Sequence, residues 1–316
     1  MRIDPFIVMI LGLAGLGIVL PAQGTVLEVV SVLVQVGIVA LFFLYGARLS
    51  TGEVVHGLKV WRVHAVIVVS TFVLFPLLGL ALSPLAPALV SQQLLAALVF
   101  VCLVPSTVQS SVAFTSIAGG DRAIAVVAAS VSSLLGVFLT PLLVALMLGG
   151  DVHVDARAVL RIIGLLLLPF LAGQVARRWL RPWLLRHDVG LRRFDRSTVL
   201  LVVYAGFSRG TNADVWQVLD WTDGLVVAAV CVALLAVSSA VCWFAGRRFG
   251  RGAQVAVYFC GTNKSLAAGL PMASVLFSAA TFPLMILPLM VYHQLQLIVG
   301  SVIATRLSAD GRSVTP

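Results

Sequence analysis

Two segments place polar side chains and a helix breaker in the middle of long apolar runs. The first, residues 103–111, reads LVPSTVQSS, and the second, residues 260–265, reads CGTNKS. Pro105 lacks a backbone N–H and Gly261 is a poor helix former, so amides and carbonyls near both should be released from helical hydrogen bonding. In an apolar medium those groups need other partners, and a cation or an anionic substrate in a protein-lined cavity is the natural one.

Hydroxyl and amide oxygens surround both breakers. Hard cations prefer oxygen ligands, which favours an ion site at these segments. Serine and threonine also make plain hydrogen bonds between helices, and that alternative stays open for each of them taken alone. Their clustering at two separate breakers favours binding. The candidates are Ser106, Thr107, Gln109, Ser110, Ser111, Thr115, Thr262, Asn263 and Ser265.

Lys264 lies near the middle of its apolar run. An ammonium at that depth costs at least about 2.5–3.5 kcal/mol on membrane-insertion scales and usually marks a functional residue. We expect Lys264 either to counter an anionic substrate or to occupy the place of a bound cation. The alternative is a structural lysine whose ammonium is satisfied by carbonyls freed at the breaks.

The apolar run that follows the first break adds further hydroxyl groups. Ser130 and Ser133 share a helical face at i, i+3 spacing, with Ser132 between them and Gly136 after them. That face is a candidate border of the first break. Small residues that permit close helix packing are the alternative.

Two other polar groups carry weaker hypotheses. In the last apolar run a histidine is a candidate proton relay, with ordinary hydrogen bonding between helices as the alternative. The seventh run ends in residues that are candidates for an outer vestibule or for interfacial anchors. The first group is His293, Gln294 and Gln296, and the second is Tyr204, Ser208 and Arg209.

Composition indicates how these segments are positioned. Of 316 residues, 60% are hydrophobic and 10% are charged, whereas a soluble domain is usually about a quarter charged. A spanning helix takes about 20 residues, so the whole chain, 1–316, is predicted to be one all-α membrane domain. Apolar runs between turn signals predict ten transmembrane helices, near 4–20, 29–49, 63–82, 92–118, 122–149, 157–180, 196–208, 223–246, 252–279 and 282–306.

Loop charge predicts the orientation of these helices. With a cytoplasmic N-terminus, 17 Lys and Arg residues fall in cytoplasmic loops and only Arg157, Arg161 and Arg209 fall outside, as the positive-inside rule requires. Both termini are therefore predicted to be cytoplasmic, in the inner membrane of the cell. The basic run 177–196 either binds anionic lipid head groups or serves topology alone.

Five helices are an odd number, so a second five-helix unit enters the membrane in the opposite orientation. The chain is thus predicted to contain two inverted repeats, about 1–150 and 151–316. Helices 4 and 9, the fourth of each repeat, carry the two breaks. Interrupted helices in corresponding positions of inverted repeats are typical of secondary transporters.

Several function classes are excluded. The net charge of +9 forms no basic face with interleaved aromatic residues, which argues against nucleic acid. The four cysteines lie in apolar runs without metal-ligand spacing. The spans contain no paired nucleophile and base and no metal-ligand set, so an enzyme is not expected.

At the two breaks the sequence resembles the bile acid:sodium symporter family, and within it the bacterial sodium-dependent transporters related to the seventh vertebrate member. The resemblance covers nearly the whole chain and is densest over 104–115, 132–136, 139–141 and 259–272. It implies ten helices in two inverted repeats, interleaved panel and core subdomains, and crossing of the interrupted helices 4 and 9 in the core.

The resemblance also implies where ions bind. Family members hold two sodium ions beside the crossing, with oxygens of helices 4, 5 and 9. Ser110 and Ser111 occupy the matching helix 4 positions, and Asn263 stands where better-studied members carry a glutamine. The carboxylate that those members place just upstream on helix 9 has no counterpart near Phe259. Lys264 appears instead, and a fixed cation weakens sodium binding by Coulomb repulsion and could replace one ion.

The helix 5 positions depart from the family as well. Where hydroxyl ligands are expected the sequence reads Ala125 and Ala129. Ser130 and Ser133 lie close by, and we take them as the candidate sodium ligands of this helix.

The expected function is alternating-access transport of an organic anion, coupled to sodium symport, at the crossing of the broken helices. Sodium is the expected coupling ion, and no other cofactor is expected. The expected partners are a small organic anion and the lipid bilayer, and neither a nucleic acid nor a protein partner is predicted. Alternatives are a sodium-independent uniporter or exchanger and a membrane regulator of ion homeostasis without transport of its own. The expected substrate-binding residues are Ser106, Thr107, Gln109, Thr115, Thr262, Lys264 and Ser265.

Overall fold

The computed structural model describes residues 5–48, 60–86, 89–148, 163–214, 220–278 and 280–312, and these residues form helices joined by short turns. Some positions used in the loop-charge prediction lie outside the described residues. They are Arg2, Lys59, Arg157 and Arg161, together with the predicted start of the sixth helix at residue 157.

The described residues of the first half form seven α-helices, one π-helical turn and a short 3-10 helix, Ser83–Leu85. The turn, Ser70–Leu74, joins α3 to α4. The helices are α1 (Pro5–Val19), α2 (Gly24–Arg48), α3 (Trp61–Val69), α4 (Phe75–Leu80), α5 (Gln92–Leu103), α6 (Val108–Ile117) and α7 (Arg122–Leu148).

In the described residues of the second half, a π-helical turn at Ile163–Leu167 precedes six α-helices. A short 3-10 helix, Arg247–Phe249, follows α10. The helices are α8 (Leu168–Arg186), α9 (Asp188–Asn212), α10 (Trp221–Gly246), α11 (Arg251–Thr262), α12 (Leu266–Leu276) and α13 (Phe282–Arg312).

Several of these stretches can cross a membrane by length and composition. Among the described residues five do so alone, and α5 and α6 together qualify as one span bent by 57°. Many large apolar side chains on these helices are exposed, as lipid-facing residues are. The chain is therefore an integral membrane protein. The five single stretches are Gly24–Arg48, Trp61–Leu85, Arg122–Leu148, Trp221–Phe249 and Phe282–Ser308.

Tertiary contacts divide the chain into two units that alternate along the sequence. The first comprises Met1–Leu49, Gly149–Asp220 and Leu270–Ile286. The second comprises Ser50–Leu148, Trp221–Gly269 and Leu287–Pro316. Both polar breaks, and the residues that hydrogen-bond to them, belong to the second unit.

The first unit is built on α2, α8 and α9. Gln174 Nε2 donates a hydrogen bond of 2.8 Å to the carbonyl of Gly46, and Arg48 forms an ion pair with Asp195. The basic run 177–196 lies largely within helices, and α9 begins at Asp188, well before the predicted start at residue 196. Arginine is a good helix former and an aspartate suits the first turn of a helix, so polarity here does not mark a loop.

Two of the three residues proposed to line a vestibule, Tyr204 and Arg209, make side-chain hydrogen bonds within the first unit. The Tyr204 hydroxyl donates to the carbonyl of Leu20 at 3.2 Å, and the Arg209 guanidinium donates to the Ser31 hydroxyl. Ser208 is fully buried, and α9 continues past it to Asn212. The seventh helix is therefore longer than predicted at both ends.

The expected role of Gly261 as a helix breaker is wrong. Helix α11 runs through Gly261 and ends at Thr262. A Cβ atom at Gly261 would lie 2.7 Å from Cys242 Sγ. The glycine therefore permits close approach of α10 to α11, as small residues do between membrane helices. The second break is the segment Asn263–Ser265.

Candidate cation and substrate site

The first break separates α5 from α6 and is caused by Pro105. Proline cannot continue the helical hydrogen bonding, and it pushes the preceding residue into an extended conformation. Val104 accordingly has φ −78° and ψ 152°, and Thr107 has φ −86° and ψ 139°. The two ends of the predicted fourth helix are thus separate half-helices.

Helix α7 supports this first break with one face. Gly136 makes room for Pro105, because a Cβ at Gly136 would lie 2.6 Å from the proline Cβ. Four residues earlier, Ser132 Oγ accepts a hydrogen bond of 3.0 Å from the N–H of Ser106. Four residues later, the Thr140 hydroxyl donates to the carbonyl of Leu103 at 2.8 Å. The i, i+4 spacing places all three supporting residues on the same side of α7.

The second break separates α11 from α12. Asn263 is extended, with φ −76° and ψ 141°. Ser265 Oγ accepts a hydrogen bond of 3.1 Å from the N–H of Ala268, as an N-cap residue does. The N–H of Ser265 donates to the carbonyl of Pro105 at 2.8 Å. The two breaks are therefore joined directly by a main-chain hydrogen bond.

Helix α13 supports the second break. The Tyr292 hydroxyl donates to the carbonyl of Thr262 at 2.8 Å. The Gln296 amide is buried and binds both main-chain groups of Lys264: its Oε1 accepts from the N–H at 2.7 Å and its Nε2 donates to the carbonyl at 2.8 Å. Nε2 also lies 2.8 Å from His293 Nδ1. His293 and Gln296 thus hold the backbone of the break.

The side chain of Lys264 is fully buried, with 0% of its surface exposed. Its ammonium donates to the carbonyls of Val104 at 3.0 Å, Cys102 at 3.2 Å and Thr71 at 3.2 Å. Nζ also lies 3.9 Å from the ring centroid of Phe75, a cation–π distance. Among the described residues Lys264 makes no ion pair with a carboxylate.

The carbonyl of Thr71 is available because the helix is irregular at that point. In the π-helical turn the N–H of Phe75 bonds to the carbonyl of Ser70 instead of that of Thr71. The next residue is Pro76, which has no N–H. The Thr71 carbonyl is thereby left for the ammonium. Isolated π-helical turns are frequent at functional sites.

A second polar cluster lies where α6 meets the end of α11. Asn263 Nδ2 donates to Ser111 Oγ at 3.0 Å and to Ser110 Oγ at 3.5 Å. Ser111 Oγ in turn donates to the carbonyl of Phe259 at 3.1 Å. Ser111 and Asn263 are buried and Ser110 is half-buried. Three of the five expected sodium ligands are therefore in mutual contact, and their oxygens are of the kind that hard cations prefer.

On α7 the serine that contacts the first break is Ser132, which was not among the expected ligands. Ser130 and Ser133 are half-buried on the same helix. The sequence does contain a signal for Ser132, because it lies four residues before Gly136 and so shares a face with it. Recognising that signal requires knowing that Pro105 packs on Gly136.

The remaining expected substrate residues differ in their surroundings. Ser106 and Thr115 are fully buried, and their hydroxyls make no hydrogen bond to any described residue. The Thr262 hydroxyl donates to the carbonyl of Tyr258 at 2.8 Å. Thr107 is buried, whereas Gln109 is exposed. The structure thus places Ser106, Thr107, Thr262 and Ser265 at the two breaks themselves.

Comparison with known proteins identifies the family to which the chain is similar. The profile of the SBF-like CPA transporter family matches residues 4–309. "Uncharacterized protein PA2026" of Pseudomonas aeruginosa is 43% identical over 307 residues, covering 96% of this chain and 92% of that protein. "Putative symporter YfeH" of Escherichia coli is 39% identical over 311 residues, again covering 96% and 92%.

A vertebrate protein is also similar. "Sodium/bile acid cotransporter 7" of Danio rerio is 30% identical over 292 residues, covering 89% of this chain and 87% of that protein. The resemblance inferred from the two breaks is thereby confirmed, and so is the expectation of a transporter instead of an enzyme. The chain belongs to the SBF-like CPA transporter family.

Proposed function

We propose that this protein is a secondary active transporter that moves an organic anion by alternating access in symport with sodium. The observation that carries the proposal is the hydrogen bond from Ser265 to Pro105, which joins two polar helix breaks in a member of a transporter family. Interrupted helices that meet are where secondary transporters bind substrate and ions. We further propose that the protein crosses the inner membrane ten times, in two inverted repeats, and that both termini lie on the cytoplasmic side.

The proposed sodium site is the cluster of Ser110, Ser111 and Asn263, with Ser130 and Ser133 as further candidates. Their hydroxyl and amide oxygens, together with the carbonyl of Phe259, form a ligand set suited to a small hard cation. The printed name of the zebrafish relative refers to sodium and bile acid. That name supports sodium as the coupling ion here.

The proposed substrate site uses the N-termini of α6 and α12. A helix N-terminus carries partial positive charge and free N–H groups, which attract anions such as a carboxylate or a sulfate. Both helices begin at the breaks. The side chains proposed to contact the anion are Ser106, Thr107, Gln109, Thr115, Thr262 and Ser265. Lys264, expected from the sequence to join them, is proposed to add positive charge beside the site without touching the anion, because its three donors are bound to carbonyls.

One observation favours a second candidate, sodium-independent uniport or exchange. The ammonium of Lys264 already supplies a positive charge at the breaks. A transporter whose own side chain supplies a cation needs fewer bound ions to satisfy its free carbonyl oxygens. Replacing sodium by choline distinguishes the two candidates.

The test uses purified protein reconstituted in proteoliposomes, with uptake of a panel of organic anions measured under an inward sodium gradient or an equal choline gradient. We expect sodium to stimulate uptake of at least one anion. Ser111→Ala and Asn263→Ala should raise the sodium concentration for half-maximal uptake about tenfold, the effect of about 1.4 kcal/mol of lost binding.

Ser116→Ala is the matched control, because Ser116 lies on the same helix α6 and is exposed. It should leave the sodium dependence unchanged. Equal uptake in sodium and in choline by the unaltered protein would support the sodium-independent candidate. Equal shifts in all three variants would contradict the assignment of the sodium site to Ser111 and Asn263.

A further inference from the structure

The buried ammonium of Lys264 has the surroundings of an ion in a carbonyl site. Three main-chain carbonyls, those of Thr71, Cys102 and Val104, lie 3.0–3.2 Å from Nζ. An ammonium has three donors, so these three acceptors match its capacity. The face of Phe75 lies 3.9 Å from Nζ and adds attraction for a cation.

The field at this position favours positive charge. Cys102 lies in the last turn of α5 and Val104 directly follows the helix. The carbonyl end of a helix carries partial negative charge because its last carbonyls have no helical partner. The third carbonyl, that of Thr71, is released by the π-helical turn. All three acceptors therefore arise from irregular backbone.

Unwound carbonyls and helix C-termini coordinate the coupling ions of other transporters with broken helices. We propose that the carbonyls of Thr71, Cys102 and Val104, with the ring of Phe75, form a monovalent-cation site, and that the Lys264 ammonium is its permanent occupant. We name this group the carbonyl cage.

The cage gives the lysine a role that differs from binding the substrate. Its charge stays inside the protein and satisfies acceptors that a coupling ion would otherwise have to satisfy. This consequence for coupling rests on the proposed transport function, whereas the cage itself does not. The transporter then carries one fixed cation, and sodium at Ser111 and Asn263 is a separate ion.

The experiment restores the missing cation chemically. In Lys264→Ala the side chain retains Cβ, and the atoms that are lost correspond to n-propylammonium. The melting temperature of this variant, purified in detergent, is measured with n-propylammonium chloride or with tetramethylammonium chloride at equal concentration. Tetramethylammonium carries the same charge but has no N–H to donate, so it is the matched control.

We expect Lys264→Ala to melt about 5 °C or more below the unaltered protein. Its melting temperature should rise with the concentration of n-propylammonium, and go on rising with the logarithm of that concentration above the dissociation constant, as it does for a ligand that binds only the folded state; it should not rise with tetramethylammonium. The unaltered protein should respond equally to the two salts. Equal responses of Lys264→Ala to both salts would overturn the cage, as would a melting temperature equal to that of the unaltered protein.

A second variant decides the outcome if Lys264→Ala yields no folded protein. Lys264→Met keeps an unbranched side chain one atom shorter than lysine and removes the charge and the donors. A lower melting temperature than that of the unaltered protein supports the cage, and an equal or higher one overturns it. Neither measurement uses a substrate or a sodium gradient, so failure of sodium-coupled uptake and failure of the cage are distinguishable.

Discussion

The two helix breaks differ in what they expose. The first break mainly exposes acceptors, because the carbonyls at the end of α5 and in the two residues that follow it have no helical partners. The second break brings donors, namely a lysine ammonium and a main-chain N–H. The carbonyls of Cys102 and Val104 accept from Lys264, that of Leu103 accepts from Thr140, and that of Pro105 accepts from Ser265.

The supports of the two breaks differ as well. Helix α7 holds the first break through a serine and a threonine hydroxyl and the space left by a glycine. Helix α13 holds the second break through the phenol of Tyr292 and the amide of Gln296. The breaks are therefore complementary parts of one site. Each depends on a different helix, so each can be weakened separately.

The largest effect is expected from the amide that holds the second break. Gln296→Leu leaves the N–H of Lys264 buried without a partner and its carbonyl with only His293 Nδ1 at 3.3 Å, which should lower the free energy of unfolding by about 2–3 kcal/mol. Chemical denaturation in detergent measures the loss. Gln294→Leu is the control, because Gln294 is only half-buried on the same helix, and it should cost less than about 0.5 kcal/mol. Equal losses would contradict the role of Gln296.

A smaller effect is expected at the support of the first break. Ser132→Ala removes the acceptor for the N–H of Ser106, which should lower the free energy of unfolding by about 1 kcal/mol. Ser133→Ala should leave this free energy unchanged and, if Ser133 is a sodium ligand, should raise the sodium concentration needed for uptake. The opposite pattern in the two variants would show that Ser133, and not Ser132, supports the break.

The smallest effect is expected at a buried hydroxyl without a partner. Thr115→Val keeps the shape of the side chain and removes an oxygen that makes no hydrogen bond to a described residue, so the free energy of unfolding should not fall. Thr140→Val is the comparison, because its hydroxyl binds Leu103, and it should cost about 1 kcal/mol. If Thr115→Val lowered the free energy of unfolding as much as Thr140→Val does, the Thr115 hydroxyl would have to make a hydrogen bond in the folded protein.

The first break was predictable because its cause is local. Pro105 alone prevents the helix from continuing, and the extended Val104 follows from steric contact with the proline ring. The second break was misplaced at Gly261, since glycine is tolerated within a membrane helix when a neighbour packs on it. The proximity of Cys242, which settles the matter, depends on tertiary packing.

The hydrogen-bond partners of Lys264 could be predicted from the sequence only in part. That freed carbonyls could satisfy the lysine was one of the open alternatives, and two of the three carbonyls lie at the first break. The third, Thr71, belongs to a helix without any predicted break. Its signal is Pro76, five residues later, but a proline near the end of a helix has many structural consequences. Only the path of the backbone shows that the freed carbonyl faces Lys264.

The central claim is that the ammonium of the second break completes the first. The chain contains two lysines, Lys59 and Lys264. Protein labelled with ¹⁵N-lysine therefore gives two side-chain signals, and the measurement is hydrogen exchange of their Nζ protons by NMR. We predict one slowly exchanging ammonium signal that is absent from Lys264→Arg. Two signals that both exchange as fast as free lysine would contradict the account.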